Sequence, residues 1–218
     1  TSLNWQWATN YWLAPPSMSV NGSVNVTPAF YPLGSNVTIT ATSSNGYQFA
    51  GWTGSLTTNA NPLTVTMFQP YPNLQANFSL TNIAITATNG PDGLIAPSGI
   101  VMVPYGTSTN FTITPNANYH ITNLVVDGSG VGITNNYLFS GVTNTHTISA
   151  WFGIDQYTLS VTTPFGGANP SGTTTNDYGT PVNAYVTGTP FTAGNTQYVA
   201  KGWTGAGSAT NGTGTNTS

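Results

Sequence analysis

Short runs of alternating hydrophobic and polar residues, separated by turn residues, make up most of the chain. Residues 37–41 (Val-Thr-Ile-Thr-Ala) and 109–113 (Thr-Asn-Phe-Thr-Ile) are two such runs. Alternation with a period of two is typical of β-strands that bury one face. No window keeps the i, i+3, i+4, i+7 spacing of a helix without a Gly, Pro, Asn or Thr that interrupts it. The pattern therefore predicts an all-β protein.

The runs are organised as three copies of one pattern. In each copy an aromatic residue and a turn glycine precede a period-two strand, and these pairs are Tyr31 and Gly34, Tyr105 and Gly106, and Tyr178 and Gly179. The glycines are 72 and 73 residues apart. A fixed spacing of this kind indicates tandem repeats. We predict three small β modules, grasp-like or sandwich-like, over residues 15–80, 81–154 and 155–218.

A second set of matches lies downstream in each copy. Residues 47–54 (Tyr-Gln-Phe-Ala-Gly-Trp-Thr-Gly) match residues 198–205 (Tyr-Val-Ala-Lys-Gly-Trp-Thr-Gly), and Leu124 takes the place of the Trp in the middle copy. Copies one and two then end in an alternating closing strand, at residues 74–78 (Leu-Gln-Ala-Asn-Phe) and 148–152 (Ile-Ser-Ala-Trp-Phe). The predicted repeat core consists of Trp52, Phe78, Leu124, Phe152 and Trp203.

The third copy has no closing strand of this kind. After residues 198–205 the chain continues with Ala, Gly, Ser, Thr and Asn alone, whereas an alternating apolar segment precedes the first copy. We predict that residues 1–14 are an orphan closing strand. This strand would complete the third copy of a neighbouring chain by β-strand complementation, or continue the array covalently. The residues of this assembly strand are Leu3, Trp5, Trp7, Tyr11 and Trp12.

Charged residues are nearly absent. The 218 residues include one Lys, no Arg, no Glu and four Asp, so that 2% are charged, where a soluble domain ordinarily has about 25%. Nucleic acids and anionic membrane surfaces are recognised by clustered Lys and Arg, so the composition excludes both as partners. The longest apolar run, residues 100–103, is far below the ~20 residues that span a bilayer, and we expect no membrane insertion. Residues 1–20 lack the basic start and apolar core of a signal peptide, which we expect to have been removed.

The titratable residues form no catalytic or metal-binding pattern. Two Asp precede a Gly in turn dipeptides, the other two fall in loops or between copies, and neither His has a second ligand at metal-binding spacing; they are Asp92, Asp127, Asp155, Asp177, His120 and His146. General acid–base catalysis needs paired titratable groups. Lys201 lacks the carboxylic acid that would assist an intramolecular isopeptide bond. We expect no catalytic residues, no metal and no cofactor.

Two features leave a binding function open. Trp12 and Trp151 lie outside the repeat core positions, and exposed aromatic rings either stack on sugars or pack between modules. The chain also has seven Asn-x-Ser/Thr sequons. These candidate glycosylation sites are Asn21, Asn25, Asn36, Asn77, Asn110, Asn211 and Asn216.

The chain resembles the bacterial repeats related to the internalin B-repeat, in particular their divergent members. The residues that carry the resemblance are the Tyr-x-Phe-x-Gly-Trp of residues 47–52, the closing Leu-x-Ala-x-Phe of residues 74–78, and Val-Asp-Gly at residues 126–128. In the third copy they are Tyr-Thr-Leu-Ser-Val at residues 157–161. The resemblance implies a compact β module, repeated in tandem on secreted or surface proteins, that serves adhesion or spacing. It carries no catalytic residues over to this chain.

These observations predict a non-enzymatic extracellular structural protein. It would be a subunit or repeating segment of a bacterial surface filament or adhesin stalk, and its partners would be copies of itself. The alternative is a carbohydrate-binding or adhesive module of a larger secreted protein, whose partners would be cell-surface glycans. Both place the chain outside the cell or on its surface. Fold-level resemblance does not decide between them.

Overall fold

The structure is a computed structural model that describes residues 1–14, 21–207, 209 and 211–215. Within these residues the regular elements are all β-strands. The prediction of an all-β protein is confirmed. The strands of module 1 are β1 (Asn10–Leu13), β2 (Gly22–Val24), β3 (Ala29–Pro32), β4 (Asn36–Ile39), β5 (Ala41–Ser43), β6 (Tyr47–Gly54), β7 (Leu63–Thr66) and β8 (Leu74–Leu80).

Module 2 follows directly, and a third group of strands, segment 3, follows module 2. Module 2 contains β9 (Asn82–Asn89), β10 (Gly93–Ala96), β11 (Gly99–Pro104), β12 (Thr109–Pro115), β13 (Tyr119–Val126), β14 (Ser129–Gly130), β15 (Asn136–Phe139) and β16 (His146–Ile154). Segment 3 contains β17 (Gln156–Val161), β18 (Gly167–Asn169), β19 (Gly172–Asp177), β20 (Tyr185–Thr187), β21 (Phe191–Ala193), β22 (Thr196–Tyr198), β23 (Gly202–Trp203) and β24 (Gly212–Thr213).

Module 2 is a sandwich of two small sheets. One sheet has the strand order β11-β9-β16-β13-β14, and the other has the order β10-β12-β15. Neighbouring strands are antiparallel, except that β9 and β16, which begin and end the module, run parallel. Ile85 and Ile148 from the larger sheet meet Phe111 and Ile113 from the smaller one in a core from which water is almost entirely excluded. Successive side chains of a strand point to opposite faces, so the period-two pattern supplies this core.

Module 1 repeats the strand pairing of module 2. The antiparallel pairs β1–β3, β2–β5, β4–β7 and β6–β8 correspond to β9–β11, β10–β12, β12–β15 and β13–β16. The register of the last pair shifts at the same point in both modules, just after Phe49 and just after Ile121. A parallel bridge between Leu13 and Tyr71 stands where β9 and β16 pair. The prediction of tandem repeats is confirmed.

The structure corrects the prediction for the second half of residues 1–14. Asn10–Leu13 form β1, which pairs with β3 inside module 1 and is not a free strand of this chain. Leu13 is fully buried in the module 1 core, and Tyr11 packs against that core half-buried. Burying Leu13 removes a whole apolar side chain from water, which favours this pairing. Only residues 1–9 precede the strands of module 1.

A glycine turn recurs in both modules and in segment 3. A backbone N–H donates to the carbonyl three residues earlier at distances of 3.0, 3.0 and 3.1 Å, from Ser35 to Pro32, Thr107 to Pro104 and Thr180 to Asp177. The glycine inside each turn has a φ of 81°, 78° and 77°, at Gly34, Gly106 and Gly179. Only glycine adopts this left-handed backbone without strain, which explains why it recurs.

Segment 3 begins like the two modules. β17 pairs antiparallel with β19, and β18 pairs with β20, as β9 pairs with β11 and β10 with β12. Its interior differs, because Ala184 is the only buried hydrophobic residue in the described part of segment 3. Tyr157, Tyr178 and Val199 are exposed to solvent. The strands of segment 3 therefore form without the core that modules 1 and 2 possess.

Candidate assembly site at the joints and the N-terminal segment

One residue connects module 1 to module 2. Thr81 stands between the last residue of β8 and the first of β9. Its N–H donates to the Gly46 carbonyl at 2.9 Å, and its carbonyl accepts from the Tyr105 N–H at 2.8 Å. Each module therefore fixes one polar group of the connecting residue. We call this arrangement a joint.

A second joint connects module 2 to segment 3. The Asp155 N–H donates to the Asn118 carbonyl at 2.8 Å, and the Asp155 carbonyl accepts from the Tyr178 N–H at 2.8 Å. Gly46 and Asn118, which accept in the two joints, both have positive φ values, 81° and 66°. The two joints thus share the backbone geometry although their side chains differ.

Side chains reinforce each joint differently. At the first, the Asn45 side-chain amide donates to the Tyr105 hydroxyl at 2.9 Å. The Tyr105 ring also lies against Gly46 so closely that a Cβ there would overlap it. At the second, His120 Nδ1 lies 2.9 Å from Asp155 Oδ1. Sequence reasoning missed both pairs, since each joins residues far apart in the chain.

The first half of a joint also stands at the start of module 1. The Leu33 N–H donates to the Thr9 carbonyl at 3.0 Å, as Tyr105 donates to Thr81 and Tyr178 to Asp155. Thr9 therefore has the place of a joint residue. Residues 1–8 precede Thr9 in the chain as the closing strands β8 and β16 precede Thr81 and Asp155. We call residues 1–8 the N-terminal segment.

The apolar side chains of the N-terminal segment are in water. Leu3, Trp5 and Trp7 are 91%, 85% and 93% exposed. The closing strands β8 and β16 contain comparable alternating trios, Leu74, Ala76 and Phe78 in one and Ile148, Ala150 and Phe152 in the other. The first two of each trio are buried, and the two Phe are half-buried against the core.

The other predicted core residues divide between modules and segment 3. Trp52 and Leu124 are buried at equivalent places, and the Trp52 indole N–H donates to the Ala60 carbonyl at 2.8 Å. Trp203 is half-buried. Elsewhere in segment 3 three rings stack on one another but are 39%, 37% and 37% exposed, and they are Phe165, Phe191 and Tyr198, with the Phe165 and Tyr198 ring centroids 3.8 Å apart. Segment 3 thus presents aromatic rings that no core covers.

Trp12 and Trp151, the two candidates for sugar stacking, lie in different modules. Trp12 in β1 packs on Phe30 with ring centroids 4.9 Å apart and is 36% exposed. Trp151 in β16 is 45% exposed. Their placement forms no shared aromatic platform, so the carbohydrate-binding alternative stays a prediction without a site.

The second His–Asp pair lies inside module 2. His146 Nδ1 is 2.7 Å from Asp127 Oδ2, and the Thr147 N–H donates to Asp127 Oδ1 at 2.8 Å. The hydrogen bond from His146, followed by that from Thr147, lowers the pKa of the Asp127 carboxyl below its ordinary value. Asp127 itself has a φ of 49° in the turn that ends β13. The pair fixes this turn to the start of β16.

Several sequon Asn side chains hold strands together. Asn77 Nδ2 donates to the Gly51 carbonyl at 3.2 Å and to Thr53 Oγ1 at 2.9 Å, and a glycan on that nitrogen would leave it only one hydrogen for these two bonds. The other sequon Asn side chains with cross-strand or loop hydrogen bonds are Asn25, Asn36, Asn110 and Asn211. Asn21 lies just before β2, and Asn216 lies outside the described residues. Glycosylation at these sites stays a prediction.

No group of three or more His, Cys, Asp or Glu that would hold a metal ion occurs among the residues described. Nor does that part of the chain contain a helix of the length and hydropathy that a bilayer crossing requires. A prominent arrangement among residues 1–14 and 21–207 is the series of joints, with the N-terminal segment before it and segment 3 after it. Its chemistry is that of backbone hydrogen bonds and apolar packing.

Comparison with known proteins agrees with this organisation. The family model of the divergent InlB B-repeat domain matches the chain twice, at residues 17–82 and 83–155. The matches fall on modules 1 and 2 and cover more than half of the chain, whereas segment 3 lies outside them. No curated protein and no solved structure matched. The family indicates a surface-associated repeat module of a bacterial protein, at the cell surface or outside the cell. The chain belongs to the divergent InlB B-repeat family.

Proposed function

We propose that the chain is a non-enzymatic structural element of an extracellular bacterial filament or stalk, in which modules follow one another through one-residue joints. Segment 3 is a third module without its closing strand, and the N-terminal segment is the closing strand of a module that precedes module 1. The closing strand for segment 3 comes from a further repeat, supplied by a second copy of the chain or by covalent continuation of the array. The contact is head to tail, so it leads to linear polymers.

The recurrence of the joint is the observation that carries this proposal. Thr81 and Asp155 are held by the same two backbone hydrogen bonds, and Thr9 makes the half of this pattern that module 1 can supply. The missing half would come from the carbonyl of a module upstream. Because the connection is one residue long and bonded on both sides, an array built from it keeps a fixed relation between neighbours.

The exposed side chains provide the driving force for assembly. A buried aromatic side chain removes about 150–250 Å² from water, so Trp5 and Trp7 together are worth roughly 8–12 kcal/mol of gross transfer free energy. Association and ordering cost an estimated 4–15 kcal/mol. The two are of the same order, and we expect an assembly that depends on protein concentration. The near absence of charge, 2% of residues, leaves little repulsion between copies.

Removal of the N-terminal segment tests the proposal. The 218-residue chain should sediment as concentration-dependent polymers and form filaments in negative-stain electron microscopy. A chain that lacks residues 1–8 keeps Thr9 and all of β1, so modules 1 and 2 still fold, and it should remain monomeric. Trp151→Ala, which removes an exposed Trp from a complete module, is the matched control and should assemble normally. Filaments from the shortened chain would show that head-to-tail strand complementation is wrong.

A further inference from the structure

The geometry points to Gly167 in segment 3 as the seat for the Trp7 ring of a second copy of this chain, with Ala200 directly opposite Trp7 across the two strands. This inference rests on the proposed head-to-tail assembly. It adds the register of the contact and the residues that define it.

In both complete modules the aromatic residue of the closing strand lies against a glycine. A Cβ on Gly22 would overlap the Phe78 ring, and a Cβ on Gly93 would overlap the Phe152 ring. These rings need a backbone without a side chain beneath them. The glycine is therefore part of the seat and not only a turn residue.

Gly167 has the same place in segment 3. It begins β18 and pairs with the last residue of β20, as Gly22 pairs with the last residue of β5 and Gly93 with the last of β12. A Cβ on Gly167 would lie 2.5 Å from Thr187 Oγ1, so the Thr187 side chain stands over this glycine and would have to rotate away to admit a ring. No ring among the described residues covers this glycine, although its backbone is prepared for one.

The sizes of the opposing side chains match the same assignment. Phe78 pairs directly with Phe49 across β6–β8, and Phe152 pairs with Ile121 across β13–β16. In segment 3 the residue that corresponds to Phe49 is Ala200, because residues 198–205 match residues 47–54. Trp7 is larger than Phe, and Ala200 is smaller than Phe or Ile. A larger ring opposite a smaller partner conserves the packed volume, which cores tolerate best.

The apolar pattern selects this register over its neighbour. Only Ala8 separates Trp7 from the joint residue Thr9, whereas two residues separate Phe78 from Thr81. Aligning the N-terminal segment strictly by its distance from the joint would turn all of its apolar side chains to the outer face, since a slip of one residue exchanges the faces of a strand. With Trp7 on Gly167, Leu3 and Trp5 also face inward.

Two variants that each lose one half of the contact test the seat. Trp7→Ala keeps the seat but loses the ring, and Gly167→Val keeps the ring but fills the seat. Each alone should weaken self-assembly by at least roughly a hundredfold in sedimentation experiments, in line with the loss of a large buried aromatic. A mixture of the two should form one-to-one dimers that do not grow, because the intact ring of one variant fits the intact seat of the other.

A size exchange tests the register even if Gly167→Val disturbs segment 3. Ala200→Phe alone should block assembly, and Ala200→Phe combined with Trp7→Phe should restore it, because the double variant recreates the Phe49–Phe78 pair of module 1. If the unmodified chain polymerises but neither the mixture nor the double variant assembles, Gly167 is not the seat, while head-to-tail assembly stands. If the unmodified chain stays monomeric, both the proposed function and this inference fail.

Discussion

Leu13 offers a direct test of the assignment of β1 to module 1. Its side chain is fully buried, and the backbone around it bonds to the neighbouring loop: the Tyr71 N–H donates to the Trp12 carbonyl at 2.9 Å, and the Ala14 N–H donates to the Tyr71 carbonyl at 3.1 Å. Truncation of a buried Leu to Ala costs about 2–5 kcal/mol, from lost transfer free energy and from the cavity left behind. Small domains have only about 5–15 kcal/mol of stability in total. Leu13→Ala should therefore remove a large part of the stability of module 1.

Urea unfolding followed by the indole N–H resonance of Trp52 measures this effect, because that indole is buried in module 1 and bonded to a carbonyl. With a urea dependence of roughly 1–2 kcal/mol per M, the midpoint for module 1 should fall by about 1–5 M. The indole resonance of Trp151 reports the unfolding of module 2 in the same sample, and its urea midpoint should stay unchanged. Leu3→Ala, at a position 91% exposed, is the matched control and should leave both midpoints unchanged below the concentration of assembly. An unaltered Trp52 midpoint in Leu13→Ala would refute the place of β1 in the core.

Three further changes probe other contacts. Trp52→Phe should destabilise module 1 by about 1–3 kcal/mol in thermal unfolding, because the Ala60 carbonyl loses its indole donor and the core loses part of a buried ring; an unchanged melting temperature would contradict these contacts. Gly54→Ala should cost about 3 kcal/mol or more in the same assay, since the residue has a φ of 92° and its Cβ would overlap the Asn73 carbonyl oxygen; wild-type stability would disprove the close approach. The pKa of Asp127 is lowered in the folded state, so its bond to His146 stabilises module 2 above the unfolded pKa of about 4, and this contribution disappears as pH falls through the lower folded pKa. Asp127→Asn should flatten the acid side of the pH–stability curve of module 2, and a curve parallel to that of the unmodified chain would rule out this linkage.

The strands and their repetition could be predicted from the sequence because both depend on local patterns. Alternating residues indicate strands with one buried face, and the turn glycines repeat because their backbone requires positive φ. The match between residues 47–54 and 198–205 predicts Trp52 as a core residue, and Trp52 is buried in module 1. One detail of the alignment was wrong: the residue equivalent to Tyr105 is Leu33, which bonds to Thr9 as Tyr105 does to Thr81. Tyr31 packs on the module 1 core instead.

The joint itself could not be predicted from the sequence, because the alternation alone predicts one strand over residues 1–14. A single residue, Thr9, separates the N-terminal segment from β1, and neither Gly nor Pro marks the change. Two apolar strands that belong to different modules therefore form one continuous pattern. The contacts that define the joint come from residues distant in sequence, such as Asn45 with Tyr105 and His120 with Asp155. Alternation reports which face is buried, but not which neighbour buries it.

The parallel pairing of β9 with β16 determines how module 2 carries tension. The chain enters the module at Asn82 and leaves it at Ile154, and the paired residues run from Ile85 beside His146 to Asn89 beside Ala150. A pull on the two ends therefore draws these strands past each other along their length. All the hydrogen bonds between them are loaded in shear at once, whereas a hairpin pulled from its open end would unzip one bond at a time. A strand order that places the first and last strands side by side thus makes each module resist extension along the axis in which the joints connect it.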